Sequence, residues 1–193
     1  LFNKLNKMSV QDSMVAIVNR MNRDSKQLTL ADCLNVVQGV EHQRTVYSNV
    51  TPLLSTVLYL CQGRVKDMDV RFLVCVIEAC AKYNLRSANA TQGFIDEIAK
   101  RAGELGDWQL LSVLRHVVAL NMLTHEIFAP LLKQAVVVAP VVAIGNIEQW
   151  LDVVSLMPFP TDNFMSAILA RLEGDAGKLS AQQIVHVFDI IAS

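Results

Sequence analysis

The chain has 193 residues, of which 52% are hydrophobic and 18% charged, with a net charge of −1 and a mean hydropathy of +0.34. That composition excludes a disordered or low-complexity chain and a uniformly basic nucleic-acid binder, and it points to faces buried on more than one side or to partners. The most apolar run, AVVVAPVVAI at 135–144, spans ten residues and contains Pro140; a membrane-spanning helix needs roughly 20, so no membrane insertion is expected.

Charge is unevenly spread. Residues 1–86 carry 11 Lys/Arg against 7 Asp/Glu, and residues 87–193 carry 6 against 11. The surface is therefore polarised, with its cations toward the N-terminal half. Cys33, Cys61, Cys75 and Cys80 lie inside apolar stretches and form no C-x-x-C pair, so they read as buried small hydrophobes in a reducing compartment. The chain begins at Leu1 rather than Met and is expected to be a fragment of a longer protein.

Apolar residues recur at i, i+3, i+4, i+7 throughout, without strand alternation. The first helix follows the capping pattern Ser9-x-x-Asp12 and turns Met14 and Val18 inward. A second, at 31–42, follows Thr29-x-x-Asp32 and carries Leu34 and Val37. The third, near 49–62, has Pro52 in its first turn and Leu53, Val57, Leu58 and Cys61 on one face. The fourth places Leu73, Val76, Ile77 and Cys80 on a stripe.

From here the pattern repeats every 37 residues. Leu73, Leu110, Ile147 and Ile184 form one column. The others are Val76, Val113, Trp150 and Val187; Ile77, Leu114, Leu151 and Phe188; and Cys80, Val117, Val154 and Ile191. All sixteen positions are apolar and define the buried face of a first helix, A. A second helix, B, keeps the same frame through Val57, Phe94, Leu131 and Ile168, through Leu58, Ile95, Leu132 and Leu169, and through Cys61, Ile98, Ala135 and Leu172. The A-to-B turns are Asn84-Leu85, Asn121-Met122 and Pro158-Phe159, turn residues followed by an apolar plug. Asp107, Thr124, Asn146, Thr161 or Asp162, and Ser180 are the expected N-caps of later helices. The earliest repeats are spaced by 39, so two extra residues are expected in the polar stretch 41–49.

The expected fold is all-α: an α-solenoid of about five two-helix repeats, forming a single array over 1–193, in which stacked neighbours bury a stripe that no pair can bury alone. The last helix ends in Ile190-Ile191-Ala192-Ser193 with no polar capping helix, so a continuing array or another subunit is expected to cover it.

The residues do not assemble into a reaction centre. His42, His116, His125 and His186 are scattered, with no ligand spacing for a metal, and neither G-x-S-x-G nor HExxH occurs. Gly103 and Gly106 lack the lysine of a phosphate loop and read as a helix stop and turn. No enzyme activity, cofactor, metal or small-molecule substrate is expected. The contact candidates are Arg64, Lys66, Arg71, Lys82 and Arg86 around one A helix, with Arg115 in an outward column beside Glu78, Asp152 and Asp189. Tyr47 and Tyr83 are either stacking partners or core. Lys4, Lys7, Arg20, Arg23 and Lys26 form a further basic set. If RNA binds, the N-terminal half is expected to hold its backbone in a salt-dependent way.

The 37-residue period and the pattern L-x-x-V-[LI]-x-x-x-V, turn, F-x-x-L-L resemble the heptatricopeptide-type repeats of FAST kinase-like organellar RNA proteins and the related octotricopeptide repeats. The clearest stretches are 72–101 (FLVCVIEACAKYNLRSANATQGFIDEIAKR) and 110–134. The resemblance implies a mitochondrial or other organellar protein of RNA processing, RNA editing or ribosome assemblies. The apolar content, the uncapped end and the polarised charge favour a non-catalytic scaffold in such an assembly, whose partners are protein subunits of a larger complex, with direct RNA binding or a HEAT-like adaptor without an RNA role as alternatives.

Overall fold

The structure, a computed structural model, describes residues 10–24, 27–41, 50–85, 89–178 and 180–192. Among the described residues there are ten α-helices and no strand. They are α1 (Val10–Arg23), α2 (Leu30–Glu41), α3 (Thr51–Cys61), α4 (Val70–Lys82), α5 (Asn89–Lys100), α6 (Asp107–Ala119), α7 (His125–Val138), α8 (Ile147–Ser155), α9 (Asp162–Asp175) and α10 (Ala181–Ala192). None is long and apolar enough to cross a membrane. The apolar run at 135–144 is cut by a 3₁₀ turn at Ala139–Val141 that contains Pro140.

The chain divides into two compact units, Leu1–Glu97 and Ile98–Ser193. In the first, α2 packs on α4 and α1 on α3, and α2 also packs on α3. In the second, α6 packs on α8 and α8 on α10, while α7 packs on α9 and α6 on α7. Helices two apart in the chain therefore stack on each other, A on A and B on B. That is the packing of a helical-repeat, solenoid-type fold.

The 37-residue columns are the core. Thirteen of the sixteen A-helix positions are buried, with Leu73, Ile77, Leu110, Leu114, Trp150 and Leu151 at 1% exposure or less. Ile184 and Phe188, expected inside, are exposed, and Phe188 is 67% open; the side chain of Ile191 lies outside the described residues. A stripe is buried only where another helix lies across it, and α8 covers just one side of α10. In the B helices, Leu132 is half-buried and Leu169 is 37% exposed, against an expected interior position. Their column turns outward between α7 and α9.

Capping follows the local chemistry. Thr29 and Asp32 make a reciprocal box before α2: Thr29 N donates to Asp32 Oδ2 at 2.9 Å, and Asp32 N donates to Thr29 Oγ1 at 3.2 Å. The bonds from Thr29 hold the Asp32 carboxyl below its ordinary range. Ser180 and Gln183 do the same for α10. Asp69 caps α4 by accepting from Phe72 N at 2.7 Å. Asp107 is not a cap; Gly106 occupies that position, and Asp107 is the first helical residue. The Ser9-x-x-Asp12 box and the longer loop at 42–49 lie outside the described residues.

Asn84 and Asn121 both sit at φ 53°. Leu85 N donates to Cys80 O at 2.8 Å and Met122 N to Val117 O at 3.1 Å. Asn84 N and Asn121 N donate to Ala81 O and Val118 O. Each turn is thus a Schellman cap with asparagine in the left-handed position. Pro158 has its φ fixed near −65° and cannot adopt it, so the third turn takes another form. Replacing Asn84 with valine is expected to cost more than about 1 kcal/mol, and with glycine to be neutral or stabilising. Chemical denaturation of the two variants checks both signs.

Candidate functional site

The first unit carries the basic candidates. Residues Gln62–Asp67 leave the end of α3 as a 3₁₀ segment, broken at Arg64 (φ −125°, ψ 15°). The break turns the guanidinium back, and Arg64 Nη1 donates to Leu28 O at 3.3 Å. Lys66 and Arg71 are exposed on either side of the Asp69 cap. Lys82, the last residue of α4, is half-buried and has a partner of its own. Arg86 lies outside the described residues, as do Lys4, Lys7, Lys26 and Tyr47.

Tyr83 is core, at 8% exposure. Among the described residues of this unit the exposed aromatic is Tyr59, 73% open on α3, which the sequence reading did not single out. Ser55, Tyr59 and Gln62 are all exposed and share one helical stripe by spacing, leading into the Arg64–Lys66 segment. The signal was available: Tyr59 is out of phase with Leu54, Leu58 and Cys61, which are buried.

The second unit has a different kind of surface. Between α7 and α9 runs an apolar groove of about 700 Å³, lined by Phe128, Leu132, Val136, Val137 and Phe159, with Lys133 also on its wall. Phe159, the apolar plug after Pro158, stacks on Phe128 with centroids 4.8 Å apart, and His125 meets it edge-on at 6.0 Å. Leu132, of the outward-turning column, lies in its wall. No 37-residue match could reveal it, since Leu132 is apolar like its buried equivalents Leu58 and Ile95.

Arg115 is exposed on α6 and donates to Gln149 Oε1 at 3.0 Å, which ties α6 to α8. His116 Nδ1 lies 2.7 Å from the Ser112 carbonyl oxygen, which can only accept, so Nδ1 carries the proton. Arg101 pairs bidentately with Glu104 at 2.8 Å and holds that carboxyl below its ordinary range. At the end of α9, the buried carboxylate of Asp175 accepts from Arg171 and Lys178. Among the described residues, no three His, Cys, Asp or Glu side chains come together as a metal site.

A family model described as RNA-editing substrate-binding complex 8 protein matches residues 6–193. No curated protein matches the chain.

Proposed function

The chain belongs to the RNA-editing substrate-binding complex 8 protein family, and from that premise we propose that it is a non-catalytic scaffold subunit of an RNA-editing assembly in the mitochondrial matrix. The family match over nearly the whole chain carries this reading. The heptatricopeptide resemblance supports the organellar setting, and the apolar groove of the second unit supports protein partners. Apolar area presented beside a few polar groups is what a docked protein segment buries. The test is affinity purification of the full chain from mitochondrial extract, with and without RNase. Partner proteins should stay bound after RNase. Their loss would replace the scaffold reading with one in which RNA holds the assembly together.

Direct RNA contact is the second reading, favoured by the exposed Arg64, Lys66 and Arg71 together with Tyr59. Cations track the phosphate backbone, and an exposed aromatic offers a base a stacking face. The triple change Arg64→Gln, Lys66→Gln, Arg71→Gln is expected to weaken RNA binding at low salt. Each phosphate contact on a single strand contributes about 0.7 to the slope of log K against log salt, so the slope should fall by about 2. Salt-insensitive binding, or an unchanged slope in the triple variant, removes these residues from the RNA reading. Arg115, already engaged by Gln149, and Lys82 serve as controls.

A further inference from the structure

Two thiols that lie 28 positions apart in the sequence meet in the first unit. Cys33 is the fourth residue of α2 and Cys61 the last of α3. Because α2 packs on α3, the start of one comes against the end of the other, and the two side chains share a hydrogen bond. Both are buried, at 2% and 1% exposure, and both are free thiols. Arg64 closes the arrangement. Its guanidinium is anchored on Leu28 O at 3.3 Å, just ahead of α2, and it lies close enough to favour a negative charge on either sulfur.

We propose that Cys33 and Cys61 form an oxidisable dithiol, a site at which peroxide closes an intramolecular disulfide between α2 and α3. The two sulfurs are not equivalent. The hydrogen bond from Cys61 and the Arg64 charge, working against burial and the Asp32 carboxylate, bring the Cys33 thiol down to about 7. The same hydrogen bond, with burial, pushes Cys61 up. Cys33 is therefore the thiolate that reacts, and Cys61 is the thiol that resolves it.

The Cys33 thiolate attacks one oxygen of hydrogen peroxide; the O–O bond breaks, hydroxide leaves, and Cys33 becomes a sulfenic acid. Cys61 then gives up its proton and attacks the Cys33 sulfur. The S–S bond forms as the S–OH bond breaks, and the departing hydroxide takes the proton as water. Two thiols are oxidised by two electrons, and one peroxide is reduced to two waters. The other cysteines lack this geometry. Cys80 accepts from Thr91 Oγ1 at 3.7 Å and is pushed up to about 11 by burial, and Cys75 lies on the same helix as Cys80. The bridge would pin α2 to α3 beside Arg64 and Lys66, so oxidation would act on the basic segment without touching it.

The test treats the intact chain with hydrogen peroxide, blocks remaining thiols under denaturing conditions, and maps peptides without reduction. A Cys33–Cys61 cross-linked pair should appear, both thiols should lose labelling together, and dithiothreitol should restore them. In Cys61→Ser, dimedone should trap Cys33 as the sulfenic acid. In Cys33→Ser, Cys61 should stay labelled. Should either variant fail to fold, the wild-type peptide map decides by itself, through the presence or absence of the Cys33–Cys61 pair. Oxidation confined to Cys75, or Cys33 and Cys61 left fully labelled, would overturn the proposal.

Discussion

Trp150→Ala is expected to lower the stability of the second unit by about 3–5 kcal/mol, the usual cost of emptying a large aromatic site in a core. Trp150 has no exposed surface. Its ring lies against Phe164 with centroids 5.2 Å apart, and its indole Nε1 donates to Asp107 Oδ1 at 2.6 Å, across 43 residues of sequence. Truncation removes the ring, leaves a void beside Phe164, and strips the Asp107 carboxylate of its donor. Trp150→Phe separates these effects. It keeps most of the packing but loses a hydrogen bond to a charged group, expected to cost about 1.5–3 kcal/mol. Trp108, 64% exposed on α6, supplies the control. Its replacement by alanine should stay within about 0.5 kcal/mol. Denaturant unfolding followed by circular dichroism ranks the three, and equal effects at the two tryptophans would contradict the packing described.

Leu114→Ala should cost about 2–5 kcal/mol, while Phe188→Ala, in the same column two repeats later, should stay within about 0.5 kcal/mol. Leu114 is 1% exposed and Phe188 is 67% exposed. Sequence periodicity treats them as equivalent, so the comparison separates apolar pattern from actual burial. Comparable losses at both sites would mean that the face of α10 is covered in solution. A negligible loss at Leu114 would contradict the register of the second unit.

The local elements were legible. Thr29 with Asp32 and Ser180 with Gln183 cap the helices they precede. Asn84 and Asn121 end theirs in the left-handed turn that asparagine tolerates. The family match gives an RNA-editing setting, one of several organellar RNA assemblies that the resemblance implied, and the family it shows is not the FAST kinase-like one. Other contacts were not legible, because they depend on which residues neighbouring helices bring together. Asp107 looked like a cap and is instead the acceptor for Trp150. Asp69, a carboxylate between Lys66 and Arg71 in the sequence, is the cap of α4. Tyr59 resembles core in composition, and only its phase against Leu54, Leu58 and Cys61 marks it as exposed.

The sequence by itself determined the ten described helices, their apolar stripes and the pairing of A with B. Those features follow from the 3.6-residue turn and from contacts within about one turn of chain, which any repeat of the pattern carries. Only the tertiary structure decided which apolar residues have a helix across them. It buried Leu114 and exposed Phe188, opened the groove between α7 and α9 beside Leu132, and brought Cys33 to Cys61. The physical reason is that burial and side-chain pairing depend on how each helix is rotated and shifted against its neighbours. An apolar residue every 37 positions is compatible with more than one such arrangement.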